Sequence, residues 1–207
     1  MSKVTASCSS CRHQQALEAY DAINVAERPS LKEKVKDGSL FVWECPVCGT
    51  HNLAVYKTLY HDPEDRLMVW LLPDGEALDP RTKALEGHLD DYTLRIVRDT
   101  GSLVEKVNIW DAGLDDAVME MAKYVTKVEL SRKHGAEMLD IPLRFYRIEG
   151  PDHEIVLSFP LGGQMHVVNI GFNVYEDCKA ILDRNPDARP ASGFAEVDSV
   201  WLAKYFR

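Results

Sequence analysis

Four of the five cysteines fall in two C-x-x-C pairs, Cys8-Ser9-Ser10-Cys11 and Cys45-Pro46-Val47-Cys48. No other feature constrains the fold as strongly. A C-x-x-C turn brings two thiolates to one ion from a single tight loop, and two such turns close a tetrahedral four-sulfur shell. The 33 residues between the pairs exceed the roughly 15–20 of a generic zinc ribbon, so an inserted element must separate them. Pro46 stiffens the second turn, and Gly49 is free to take a positive φ as the chain leaves it. In the first pair Ser9 stands in the place of the proline and Arg12 in the place of the glycine.

This spacing makes Cys8, Cys11, Cys45 and Cys48 candidate ligands of a structural Zn²⁺, with iron as the other ion suited to four sulfurs. A catalytic zinc is not expected, because four cysteines leave no open position for water. A redox pair and an empty, degenerate site are the alternatives. The redox reading needs a strand running into a helix at the motif, and nothing after Cys48 reads as a helix. His13 and His51 lie two and three residues beyond their nearest cysteines and could substitute as ligands. Cys178 falls in a helical stretch and reads as a small buried hydrophobe.

Five cysteines in 207 residues are too sparse for a disulfide framework, and metal thiolates imply a reducing, cytoplasmic setting. A hydrophobic fraction of 45% excludes wholesale disorder. The net charge of −9 argues against a nucleic-acid or anionic-membrane partner. That charge is uneven: residues 1–57 carry seven basic and six acidic side chains, and residues 58–130 carry eight and sixteen. The strongest apolar run, Leu67–Pro73, is seven residues long, against the 18 or so of a membrane span. The first residues lack an apolar core, so no secretory signal is expected.

Between the cysteine pairs, residues 12–28 suit either helix or strand, and 29–38 read as a short helix with Pro29 near its start and Gly38 as its stop. Leu40–Trp43 reads as a strand entering the second turn, Leu53–Tyr60 returns from it, and Leu67–Leu72 comes after a turn at Asp62-Pro63. Together these describe a zinc ribbon extended into a small antiparallel sheet. Residues 73–91 read as loop with room for a helical turn, and Tyr92–Arg98 as a strand. A helix capped by Ser102, with Glu105 closing a capping box, then ends at Gly113. A longer helix runs from Asp115 or Asp116 to about Lys133, with Leu114, Val118, Met121, Val125 and Val128 as its apolar stripe. Strands at Leu143–Ile148, Glu154–Phe159 and Met165–Phe172 come next, with Gly162-Gly163 as a hairpin turn. A helix from Val174 to about Asp183 succeeds them, and 194–207 hold a short strand and a helix. The fold class is α+β, with a zinc-ribbon domain over 1–135 and a smaller antiparallel sheet-and-helix unit over 136–207.

The Cys45-Pro46-Val47-Cys48-Gly49 turn has ordered companions: Asp21-Ala22-Ile23-Asn24-Val25, Asp37-Gly38-Ser39-Leu40-Phe41 and Leu59-Tyr60-His61-Asp62. Weaker markers are Val104-Glu105-Lys106 and Gly113-Leu114-Asp115-Asp116. Over about residues 5–130 the chain resembles the CpXC-domain proteins, a prokaryotic family named for two C-P-x-C motifs. The resemblance implies a four-cysteine site on Cys8, Cys11, Cys45 and Cys48, and strand rather than helix over 12–28. The sequence departs from the family pattern at Ser9 and Arg12. No reaction carries over from the family.

Other chemistry is sparse. No phosphate-loop, dinucleotide, nucleophile-elbow or H-E-x-x-H motif is present. His61 beside Asp62 could form a general-base pair, or could end a hairpin. Two functional classes remain open. One is a zinc-binding protein with a structural four-cysteine site that binds a protein or small-molecule partner. The other is an enzyme with its site between the two halves, using His61.

Overall fold

The computed structural model describes residues 1–73, 75–84 and 86–206. Asp74 and Leu85, within the stretch read as loop, and Arg207, at the end of the last segment, lie outside them. The fold is α+β. Among the described residues, no helix is long and apolar enough to cross a membrane.

The chain divides into two compact units: residues 1–104 with 192–195, and residues 105–191 with the segment from Glu196 onward. In the first unit, β1 (Ser2–Ser7) and β2 (Gln14–Ala19) form an antiparallel hairpin. The stretch that could have been helix is therefore strand: β2 and then β3 (Ala22–Asn24). The inserted helix is α1 (Ser30–Lys36), which buries Leu31 and Val35. It stops at Gly38, whose φ of 77° reverses the chain without a Cβ clash.

The expected strand at Leu40–Trp43 begins later, because Ser39–Phe41 is a single 3₁₀ turn that drives Phe41 into the core. The strand itself is β4 (Val42–Glu44), paired antiparallel with β5 (His51–Leu53). The returning segment does not run unbroken to Tyr60. It stops at Leu53 and resumes as β6 (Thr58–Asp62), which leads to β7 (Leu67–Leu71). After α2 (Pro80–Ala84) comes β8 (Thr93–Val97).

The strands after the second cysteine pair thus belong to two sheets. The β4–β5 ribbon stands apart from a four-stranded sheet of order β3-β6-β7-β8. That sheet is mixed: β6 and β7 pair antiparallel, while β3–β6 and β7–β8 are parallel. Burial alternates strictly along β6 and β7, the period-two pattern of strands with one face on a core. Ile23, Tyr60, Val69 and Leu71 are fully buried on that face.

The second unit takes most of α3 (Thr100–Asp111), then α4 (Asp116–His134), β9 (Arg144–Glu149), β10 (Glu154–Leu161), β11 (Gln164–Ile170), α5 (Phe172–Arg184) and α6 (Ser199–Leu202). Its sheet is antiparallel, in the order β11-β10-β9. Gly162 and Gly163, with φ of 59° and 78°, make the two-residue turn between β10 and β11.

Two helix readings change. The first helix begins two residues before Ser102, since Asp99 accepts from the Ser102 N–H at 2.9 Å and the Ser102 hydroxyl at 2.6 Å. Asp99 is therefore the cap, and Glu105, instead of closing a capping box, lies inside the fold at 5% exposure. On α4, Val118 and Met121 are buried but Val125 is 44% exposed. The buried face carries charge beside these apolar residues: Asp116, Glu120 and Lys123. Lys106 donates to Asp116 at 2.7 Å and to the Val197 carbonyl at 2.7 Å. Lys123 donates to Glu105 at 2.8 Å and to Glu120 at 2.7 Å.

Candidate metal centre

Each cysteine pair sits in the turn of a two-stranded ribbon, and the two turns are built alike. The last paired residues are Ser7 with Gln14 in one ribbon and Glu44 with His51 in the other. In the first turn the Cys8 N–H donates to the His13 carbonyl at 2.8 Å, and the Arg12 N–H to the Cys8 carbonyl at 3.1 Å. In the second the Cys45 N–H donates to the Thr50 carbonyl and the Gly49 N–H to the Cys45 carbonyl, both at 2.9 Å. The match extends to the backbone: Arg12 has φ 63° and Gly49 has φ 69°. Arg12 therefore accepts the left-handed conformation that glycine takes in the second turn, at a cost of about 1–2 kcal/mol. The unusual residue leaves the turn geometry intact.

The four sulfurs converge. Cys8 and Cys48 lie 3.6 Å apart, as do Cys11 and Cys45, and all four sulfurs fall within 4.8 Å of one another. A tetrahedral ion with metal–sulfur bonds of about 2.3 Å has sulfur–sulfur edges of about 3.8 Å. The donor set fits a metal ion, and the four cysteines could hold one. Neither His13 nor His51 joins this group; His13 serves the first turn through its carbonyl. Each pair runs on into a strand, β2 or β5, so the strand-to-helix setting of a redox C-x-x-C is absent here.

The clustered thiols shift in opposite directions. The Cys8 thiol is pulled down to about 6, first by the Cys11 backbone N–H and then by Ser10, Cys48 and Asn52. The Thr50 hydroxyl and backbone N–H lower Cys48. Cys11 moves the other way, up to about 12: the His13 N–H favours its thiolate, but burial and the three neighbouring sulfurs outweigh it. Four thiolates this close repel, so protons or a cation must neutralise them.

The residue that ties the two turns together is Asn52, which carries no motif of its own in the sequence. Its carbonyl oxygen accepts from the Ser9 N–H at 2.8 Å and the Ser9 hydroxyl at 2.9 Å. Its amide donates to the Thr50 carbonyl at 2.8 Å and approaches the Cys8 sulfur at 3.6 Å. Gln15 holds the matching position in the first ribbon, and its buried Oε1 has no hydrogen-bond partner among the described residues. Ser9 corresponds there to Pro46, which has no N–H to give.

His61 and Asp62, adjacent on β6, point to opposite faces of the sheet and form no acid–base pair. The Asp62 carboxylate is buried against Lys32 at 3.0 Å and Tyr60 at 3.2 Å, and His61 approaches the Tyr92 hydroxyl at 3.3 Å. Burial alone would raise Asp62, but the Lys32 ammonium holds it below the usual carboxylate range. Cys178 is 2% exposed, and burial pushes its thiol up to about 11.

Two matched hairpins that present four cysteines to one point define a protein of the four-cysteine ribbon class. A family model described as CpXC protein matches residues 6–123, more than half of the chain, and the chain belongs to that family. The matched region includes both cysteine turns, the mixed sheet and the buried charges from Glu105 to Lys123. No curated protein and no solved structure matches the chain.

Proposed function

We propose that the protein binds one zinc ion in a closed, structural four-sulfur site, and that the ribbon so stapled belongs to a module that binds a protein or small-molecule partner in the cytoplasm. The observation that carries the reading is the pair of matched turns whose four sulfurs lie within 4.8 Å. Such a shell has no vacancy for water or substrate, so its role is to hold the chain. The energy suits that role: structural zinc binds with about 10–16 kcal/mol, comparable with the roughly 5–15 kcal/mol that stabilises a whole domain. Thiolate ligands require a reducing compartment, and the net charge of −9 favours a partner other than nucleic acid.

Native mass spectrometry of the protein purified from its own host tests this. The expected spectrum carries one zinc per chain and retains a protein or small-molecule partner. Iron in place of zinc would revise the metal alone. A metal-free chain that stays folded would overturn the reading.

A further inference from the structure

The four clustered cysteines divide by exposure as well as by sequence. Cys8 and Cys45, the first of each pair, are buried at 1% exposure, whereas Cys11 and Cys48, the second of each, are exposed. The sulfur contacts cut across the sequence pairs. The two with hydrogen-bond geometry, both 3.6 Å, join Cys8 to Cys48 and Cys11 to Cys45. Each contact therefore sets one exposed cysteine against one buried cysteine, and each runs from one ribbon to the other.

Metal binding keeps such sulfurs as thiolates, the form that a small oxidant attacks. An oxidised sulfur is resolved to a disulfide by a second thiolate close by. The exposed pair, Cys11 and Cys48, is what an oxidant meets first, and each already faces a shielded sulfur. From 3.6 Å that sulfur has to close only to a bond of about 2.0 Å. The other two pairings are worse placed. Joining Cys8 to Cys45 pairs the two buried residues, which peroxide reaches last. Joining each pair within its own turn bends a backbone that the Cys8 and Arg12 N–H groups fix in one ribbon and those of Cys45 and Gly49 fix in the other.

We propose, on the basis of the closed zinc site, that peroxide exchanges the metal for two disulfides between the ribbons, Cys8–Cys48 and Cys11–Cys45. The exposed thiolate of Cys11 or Cys48 attacks one peroxide oxygen; the O–O bond breaks, leaving a sulfenic acid and a hydroxide. The facing buried thiolate then attacks the oxidised sulfur, forms the S–S bond and expels a second hydroxide. Each disulfide thus takes two electrons from its sulfurs and passes them to one peroxide. The first bridge leaves two thiolates, too few for a four-sulfur shell, so zinc departs and a second peroxide closes the other bridge. The bridges join residues 40 and 34 apart in sequence. They hold the same two turns that the metal held, so oxidation keeps the ribbons together where chelation frees them. Cys178, 2% exposed and outside the cluster, stays a thiol.

The full chain is purified without oxygen, and its zinc is measured before any oxidant is added, so that failure of the zinc reading shows separately. Hydrogen peroxide is then added, the reaction is quenched in acid before thiols exchange, and free thiols are blocked. Peptide mass mapping without reductant is expected to find Cys8–Cys48 and Cys11–Cys45, with one zinc released for every two bridges. Cys178 should appear as a blocked thiol, and a dithiol reductant with added zinc should restore the loaded form. Bridges within Cys8–Cys11 or Cys45–Cys48, or between Cys8 and Cys45, would overturn the proposal. Zinc and four thiols retained under excess peroxide, or oxidation to sulfinic acid in place of disulfides, would overturn it equally. A chain that arrives without metal contradicts the zinc reading, and the same map on it still decides the pairing.

Discussion

Replacing Lys123 with methionine keeps the length and apolar stem of the side chain and removes only its charge. The ammonium bridges Glu105 at 2.8 Å and Glu120 at 2.7 Å, and all three residues are less than 8% exposed. Without it, Glu105 retains the Phe145 N–H at 2.7 Å and Arg144 at 3.5 Å, whereas the cation left to Glu120 is Lys106 at 3.7 Å. Removing one partner of a buried ion pair costs about 3–5 kcal/mol, and at about 2–4 °C per kcal/mol for a chain of this size Tm should fall by roughly 10 °C. The loss has a definite pH dependence. Burial already raises Glu120 above the ordinary carboxyl range against the pull of Lys123 and Lys106; losing Lys123 raises it further. A carboxyl whose folded pKa lies above its unfolded value of about 4.3 relieves its penalty by taking up a proton as pH falls. Lys123 in the unaltered chain is raised instead, by Glu105 and Glu120 against its burial, so it stays charged until strongly alkaline pH. Urea unfolding of the zinc-loaded protein, followed by helical circular dichroism, should show a wide gap between variant and parent at about pH 8 and a narrower one at about pH 5. Adding Glu120→Gln should recover part of the loss. A gap below about 1 kcal/mol at the higher pH, or one unchanged at the lower, would refute the account of this cluster.

The ribbon supplies three further predictions. Gly49→Ala forces a Cβ onto a φ of 69° and should lower stability by about 1–2 kcal/mol. Arg12→Gly relieves the matching strain and should not lower it, so a fall in Tm for both variants would contradict the equivalence of the turns. Asn52→Ala removes the bonds to Ser9 and the approach to Cys8. It should weaken metal binding about 10–100-fold in chelator competition, and unchanged affinity would remove Asn52 from the site. Chelation should unravel the β1–β2 and β4–β5 ribbons while most of the helical signal from α4 and α5 persists. Loss of all helix, or of no structure at all, would contradict a local structural role.

The site was legible because its signal is local. Two C-x-x-C pairs state both the four cysteines that converge and the turn that carries them, and even the departure at Arg12 was visible as a residue standing where glycine belongs. Asn52 was not, because its partners lie across the sulfur cluster in the other ribbon, more than forty residues away in sequence. The mixed sheet escaped for a similar reason: successive strands suggest hairpins, whereas β3–β6 and β7–β8 are parallel pairs joined by long connections. Leu114, Val118 and Met121 of the predicted α4 stripe are buried, but its buried charges went unread because charge normally marks solvent. Asp116, Glu120 and Lys123 recur at helical spacing, flanked by the buried Val118, Met119, Met121 and Ala122. A charged stripe with apolar residues on both sides is the pattern of a buried ion network, and its partners Glu105 and Lys106 come from the preceding helix.

X-ray absorption at the zinc edge, on protein purified without added metal, tests the central claim most directly. It should show a single shell of four sulfurs at about 2.3 Å and no lighter scatterer, with the shell disrupted by Cys8→Ser or Cys45→Ser. A shell containing nitrogen or oxygen ligands in the unaltered chain, or protein that contains no metal yet keeps both ribbons folded, would contradict it.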